Sequence, residues 1–182
     1  DLLIVDEAHM RRRKLLEIIR DSGVKVIGLS GTPFAKFMGN YYEKLIKPTT
    51  MRQLIESGDL SNYEFYAPTK PDLSNVKSQY TESFGSDYNE EQLSEIMCGA
   101  DLVGNVVQNW LTNGENLQTV CFCVNVKHAN FITIEFNKNG VSAEVMTAGT
   151  PHEERQLIIR RFEQGITKVL VNVGVLVAGF DS

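Results

Sequence analysis

Asp1-Leu2-Leu3-Ile4-Val5-Asp6-Glu7-Ala8-His9 is the stretch on which the fold turns. Its four consecutive apolar residues, two of them β-branched, read as a strand buried on both faces, the kind found in parallel sheets. Two carboxylates stand where that strand should stop. In an open α/β sheet a ligand sits beyond the carboxyl ends of the strands, so Asp6 and Glu7 are expected to project into a site rather than into a core. A nucleoside triphosphatase needs such a pair: one carboxylate to hold Mg²⁺, usually through water, and a neighbour to take a proton from the attacking water. The plainer alternative is a strand ending in a solvated acidic turn. An apolar run feeding straight into Asp-Glu-Ala-His favours the catalytic reading.

Working outward, His9 to Asp21 reads as a helix with Leu15, Leu16, Ile18 and Ile19 on one side and Gly23 as its stop. Its basic run, Arg11-Arg12-Arg13-Lys14, reads mainly as a solvated face. Val24 to Ser30 is a second buried strand that ends in Ser30-Gly31-Thr32-Pro33, which completes a βαβ unit of a parallel sheet. Beyond it, Thr50 to Ser57 is a short helix stopped by Gly58, Tyr63 to Ala67 a strand, and Pro68 to Leu73 a proline break. Tyr80 to Tyr88 reads as a loop, and Asn89 as the cap of a helix with Glu90 and Glu91 in its first turn. A helix around Val103 to Leu111 carries Trp110, read as a packing residue.

The last third alternates strand and helix. Thr119 to Val124 is a buried strand, Asn125 caps a helix running to Asn139, and Val141 to Met146 is another strand. Thr150-Pro151-His152-Glu153 has the form of a capping box, with Thr150 as cap and Glu153 reaching back, and its helix should stop at Gly165. Lys168 to Val173 is the last strand, so the segment is β-α-β-α-β.

Asp6-Glu7-Ala8-His9 resembles motif II (Walker B) of the superfamily 2 helicases and translocases, in its DEAH form. Ser30-Gly31-Thr32-Pro33, one βα unit later, resembles motif III. The resemblance implies that Asp6 is the Mg²⁺ ligand and Glu7 the general base, and that His9, Ser30 and Thr32 couple hydrolysis to the groove between two motor domains. Cys121 to Ala129 resembles motif IV and Val173 to Asp181 resembles motif V. By that likeness Val173 and Gly174 lie toward the nucleic-acid strand, and Gly179 and Asp181 toward the ATP. Relatives often carry Thr where this chain has Val173 and an acidic residue where it has Ala178, so a side-chain phosphate contact at Val173 is not implied. Thr147-Ala148-Gly149-Thr150 precedes a helix N-terminus, where backbone N–H groups of Gly149 and Thr150 can hold a phosphate; a plain capped helix is the equal alternative.

The fold class expected is α/β, with parallel-sheet RecA-like (P-loop NTPase) domains. Residues 1–47 are expected to end a first motor domain that carries motifs II and III, and residues 48–182 to form a second, as far as motif V. Leu54 to Leu60 and Pro71-Asp72-Leu73 are similar to the entry into the second motor domain of phage and repair-type DNA helicases, which makes DNA rather than RNA the expected polymer. A restriction-enzyme motor would share motifs II to V, and a nucleic-acid-binding module without ATPase activity is a third reading. No Gly-x-x-x-x-Gly-Lys-[Ser/Thr] occurs, nor an arginine-bearing motif VI. The expectation is therefore a fragment of an ATP- and Mg²⁺-dependent motor that by itself binds nucleotide weakly and turns over nothing measurable.

Composition agrees with that class. At 182 residues with 42% hydrophobic and 23% charged residues, the chain can bury a core like any globular protein. A net charge of -5 argues against a general polyanion binder but not against a basic groove. No apolar run approaches a membrane span and no signal peptide is visible, so a cytoplasmic setting is expected. Cys121 and Cys123 share a strand face without C-x-x-C spacing, Cys98 stands alone, and all three read as reduced packing residues. His9, His128 and His152 show no ligand spacing, so zinc is not expected.

Overall fold

The computed structural model describes residues 1–66, 70–81 and 85–176. The chain forms two compact units, one comprising Asp1–Ala67 with Gln79–Asp87 and the other Pro68–Ser78 with Tyr88–Ser182.

In the first unit, β1 (Leu2–Val5) and β2 (Lys25–Gly28) pair in parallel with Val5 opposite Gly28. The helix between them, α1, spans Arg13–Asp21 rather than starting at His9. The reason is local: Glu7 sits at φ +50, a left-handed conformation that cannot continue into a helix, and Met10 N–H closes a turn onto Glu7 O at 2.9 Å. Leu16 faces the interior, whereas Ile18 is exposed and drops out of the expected stripe. Nor is the sheet buried on both faces. Val5 and Ala8 are covered, but Leu2, Ile4, Ile27 and Leu29 lie on one face and are exposed, Ile4 to 61%. An apolar run reports that a strand is able to face a core on both sides; it does not supply the second layer.

Gly28 is required by close approach. A Cβ there would lie 2.7 Å from Cε1 of Tyr42 and 2.9 Å from the Ala8 Cβ. Gly28→Ala should therefore cost about 1–3 kcal/mol, the range for overpacking, read as a lower urea midpoint. Tyr42→Leu in the same chain should recover part of that loss; full additivity of the two substitutions would show that the ring is not the obstacle.

A 3-10 turn (Lys36–Asn40) and α2 (Met51–Glu56) follow. α2 carries a capping box in which Thr50 Oγ1 accepts from Gln53 N–H at 3.3 Å and Gln53 Oε1 accepts from Thr50 N–H at 2.9 Å. Residues 63–66 form no strand. Tyr63, Phe65 and Tyr66 are all exposed, so neither face of that stretch is covered. Strands occur instead where a loop was expected: β3 (Ser78–Thr81) and β4 (Gly85–Tyr88) pair with each other. Strand propensity is high in the first stretch and low in the second, so pairing decides.

The second unit is built in layers. α3 (Glu90–Met97) starts at Asn89, whose side chain accepts from Gln92 N–H at 3.0 Å. α4 (Ala100–Asn113), β5 (Thr119–Phe122), α5 (Val126–Lys138), β6 (Ala143–Met146), α6 (His152–Glu163) and β7 (Val169–Asn172) follow. Asn125 caps α5 through His128 N–H at 3.0 Å. The three strands run parallel in the order β5-β7-β6, so the last strand takes the central place. Every β7 residue is buried. Val169 and Val171 pack with Val103, Val107, Ala129, Ile132 and Phe136 of α4 and α5 on one face, and Leu170 packs with Met146, Ile158 and Phe162 on the other. Here the double burial expected of a parallel sheet is complete. Trp110 is a packing residue, edge-on to Phe136 with ring centroids 5.6 Å apart, its indole N–H donating to Thr119 Oγ1 at 2.7 Å.

One ion pair ties α6 to β6. Arg161 Nε donates to the Glu144 carboxylate at 3.0 and 3.1 Å, and the Thr167 hydroxyl donates to it as well. The hydrogen bond from Arg161 lowers the Glu144 pKa, burial opposes that, and Thr167 assists the lowering. Because the folded pKa lies below the unfolded one, the stability it confers is present above the ordinary glutamate range and is lost as the pH falls through the folded pKa. Glu144→Gln should thus be less stable than wild type at pH 7, and the two unfolding curves should converge in acid. A gap that persists below the folded pKa would assign the effect to shape instead of charge. Among the described residues no helix is long and apolar enough to cross a membrane.

Candidate nucleotide and nucleic-acid site

β1 and β2 lie side by side in parallel, so their carboxyl ends deliver Asp6 and Ser30 to the same edge of the sheet. Leu29 N–H donates to Val5 O at 2.8 Å and Ala8 N–H to Leu29 O at 2.9 Å, which fixes the two exits against each other. Within that frame His9 Nδ1 lies 2.9 Å from Ser30 Oγ and 3.3 Å from Glu7 Oε2. With its hydrogen on Nδ1 the imidazole donates to Ser30 Oγ and stands within ion-pair distance of the Glu7 carboxylate. Ser30 Oγ also accepts from Thr32 N–H at 3.1 Å, so hydrogen bonds join His9, Ser30 and Thr32, and Glu7 meets them through its contact with the His9 ring. Thr32 joins it through its backbone.

Asp6 is exposed. Its Oδ1 accepts from Glu7 N–H at 2.9 Å. Arg12, which the sequence offered only as part of a basic run, donates from Nη1 to the Asp6 carbonyl at 3.2 Å. No group of three His, Cys, Asp or Glu residues able to hold a metal occurs among the described residues. An exposed carboxylate beside a second one fits a Mg²⁺ ion that keeps most of its waters and takes other ligands from a phosphate chain.

In the second unit the loop between β6 and α6 is closed on itself. Thr147 N–H donates to Thr150 Oγ1 at 3.0 Å, Gly149 N–H to Thr147 Oγ1 at 3.2 Å, and Thr150 N–H to Thr147 O at 3.1 Å. This overturns the expected capping box. Because the Thr150 hydroxyl faces back to Thr147, Pro151 takes the cap position and α6 begins at His152 with no side-chain cap. Arg155 holds the loop from beneath, donating Nε to Thr150 O at 2.8 Å and Nη2 to Thr147 O at 3.0 Å and Ala148 O at 2.8 Å. Nothing in the spacing of the sequence announces that clamp.

Val173 leaves β7 with its N–H on Met146 O at 3.3 Å, and Gly174 turns the chain at φ +64. That left-handed turn suits glycine. Just before them Asn172 is wholly buried; its Nδ2 donates to Cys121 O at 3.2 Å and its Oδ1 has no partner among the described residues. Gly179 and Asp181 lie outside the described residues.

Residues 101–182 match the helicase conserved C-terminal domain. A Lactococcus phage protein named only for its mass of 51.5 kDa is 26% identical over 99% of this chain and 40% of its own length. A Saccharomyces cerevisiae protein with the provisional name ATP-dependent helicase IRC3 is 26% identical over 100% of this chain and 28% of its own. The Rattus norvegicus ATP-dependent RNA helicase DDX25 is 31% identical over 35% of this chain and 13% of its own. The chain thus spans well under half the length of the relatives it matches. A helicase conserved C-terminal domain over residues 101–182, a parallel sheet of the RecA-like kind and the likeness of the whole chain to helicase-named relatives together support a fragment of the superfamily 2 helicase family.

Proposed function

We propose that this chain is the middle of an ATP-dependent motor acting on nucleic acid, DNA rather than RNA. In this reading residues 1–47 close the first motor domain and residues 48–182 belong to the second. The observation that carries it is the 2.9 Å contact between His9 Nδ1 and Ser30 Oγ, which links the acidic turn after β1 to the hydroxyl turn after β2. A solvated acidic turn has no need of that bond, whereas a coupling relay does.

Asp6 would hold Mg²⁺ through water, and the ion would supply charge neutralisation at the terminal phosphate of ATP. Glu7 accepts the proton of the attacking water. His9, 3.3 Å from the Glu7 carboxylate, registers its charge, and Ser30 with Thr32 passes any displacement to the segment after β2. Gly149, Thr150, Val173 and Gly174 are assigned to the surface that meets the nucleic-acid backbone, with Arg155 keeping the loop in shape; a phosphate held by the Gly149 or Thr150 N–H would have to displace Thr147 from it. Gly179 and Asp181 are assigned to the nucleotide side.

The test is ATP hydrolysis by the full-length protein that contains this chain, alone and then with single-stranded DNA, duplex DNA or RNA. Stimulation by DNA is expected. Stimulation by RNA alone would transfer the reading to the RNA helicases, in keeping with the match to DDX25. No hydrolysis under any condition by a folded protein would leave a binding module without ATPase activity.

A further inference from the structure

Cys121 and Cys123 project from the same face at the end of β5, with their sulfurs 3.9 Å apart. We propose that they form a reversible dithiol–disulfide site, oxidised by low-molecular-weight disulfides of the glutathione class. The inference does not depend on the motor reading.

Three features of the fold carry it. Two residues of strand rise separate the Cα atoms by about 6.6 Å, inside the upper end of the range that a disulfide spans. Closing the bond needs the sulfurs to approach by about 2 Å, and Cys123 lies past the last residue of β5, an edge strand that pairs with β7 alone among the described residues, with a single N–H bond to Asn172 O holding it there. Both thiols are half-buried rather than sealed in the core. Cys98, the remaining cysteine, caps the C-terminus of α3 with its thiol 3.8 Å from the Ser94 hydroxyl, so it is not the strand partner of either.

The two thiols differ in character. The Cys123 S–H bonded to Cys121 lowers the Cys121 pKa against the opposing effect of burial, while the same bond, burial and the neighbouring sulfurs raise that of Cys123. Cys121 is therefore the attacking thiolate. Its sulfur displaces one glutathione thiolate from oxidised glutathione to give a mixed disulfide. Cys123, deprotonated in turn, attacks the Cys121 sulfur and releases the second glutathione. Two protein thiols lose two hydrogens, one glutathione disulfide becomes two thiols, and the electrons balance.

The bond would act on the strand at the centre of the sheet. Cys121 O accepts from Asn172 Nδ2 and Cys123 N–H donates to Asn172 O at 2.9 Å, so both cysteines hold the residue that leads into Val173 and Gly174. Drawing the sulfurs together pulls on that pair of hydrogen bonds.

The folded chain is equilibrated with reduced and oxidised glutathione over a series of ratios, quenched with N-ethylmaleimide, and weighed intact and as peptides. At the oxidising end the expected product is two hydrogens lighter, with both cysteines in one internally bridged peptide and maleimide on Cys98 alone. Cys123→Ser should stop at a glutathione adduct on Cys121. Three maleimides at every ratio, a glutathione adduct that persists in wild type, or a bridge to Cys98 would each overturn the assignment. So would a pair that oxidises only when urea has unfolded the chain, because strand geometry would then be forbidding the bond.

Discussion

Glu7→Gln in the full-length protein should leave ATP binding intact and lower turnover by about 10²–10⁴-fold, the usual contribution of a positioned general base. The amide keeps the size of the side chain and its place beside His9 Nδ1, and removes the charge and the ability to take a proton. Nucleotide affinity is read by equilibrium binding and turnover by phosphate release. Turnover at the wild-type rate would remove Glu7 from the mechanism. Weak binding with normal turnover would reassign it to the nucleotide or its metal.

The largest structural effect is expected at Phe136. It is 2% exposed, stands on α5 against Val169 and Val171 of the central strand, and meets the Trp110 ring at 90°. Phe136→Ala removes its transfer free energy and opens a cavity, a loss of about 3–5 kcal/mol for a buried phenylalanine. The edge-on ring pair accounts for about 0.5–1.5 kcal/mol of comparable contacts. Trp110 is the only tryptophan in the chain, so its fluorescence follows the loss directly in a urea titration. A change below about 1 kcal/mol would mean that the site refills by collapse, as the spread of such measurements allows.

How far the sequence could be read depended on whether each signal was local. Asn89 and Asn125 were legible as caps because a short side-chain acceptor and the following N–H groups decide that geometry within one turn. Thr150 had the same credentials and failed, since a competing N–H at Thr147 lies equally near. The strand at Val169–Asn172 was legible from an unbroken apolar run, but the same argument overstated β1, whose outer face the described residues leave open. Residues 63–66 were read as a strand and residues 80–88 as a loop, and the described residues of both stretches differ because a strand exists only with a partner, which the propensity of one segment does not report.

The acidic turn and the hydroxyl turn were found by their chemistry and order. Their link through His9 was implied only by likeness to relatives. Arg155 was out of reach altogether: one guanidinium serving three carbonyl oxygens leaves no periodic trace.

The position of β7 has a consequence for how the polypeptide is made. Among the described residues β5 and β6 share no hydrogen bonds and stand two strand spacings apart, roughly 10 Å, each paired only with the strand that follows both in sequence. During synthesis from the N-terminus, residues 119–146 leave the ribosome as two open-edged strands with the slot between them empty. The sheet closes only when residues 169–172 arrive to fill it. Until then the apolar faces of α5 and α6 have no central strand to cover, so the nascent chain passes through an interval in which a chaperone or a wrong strand can compete for that slot.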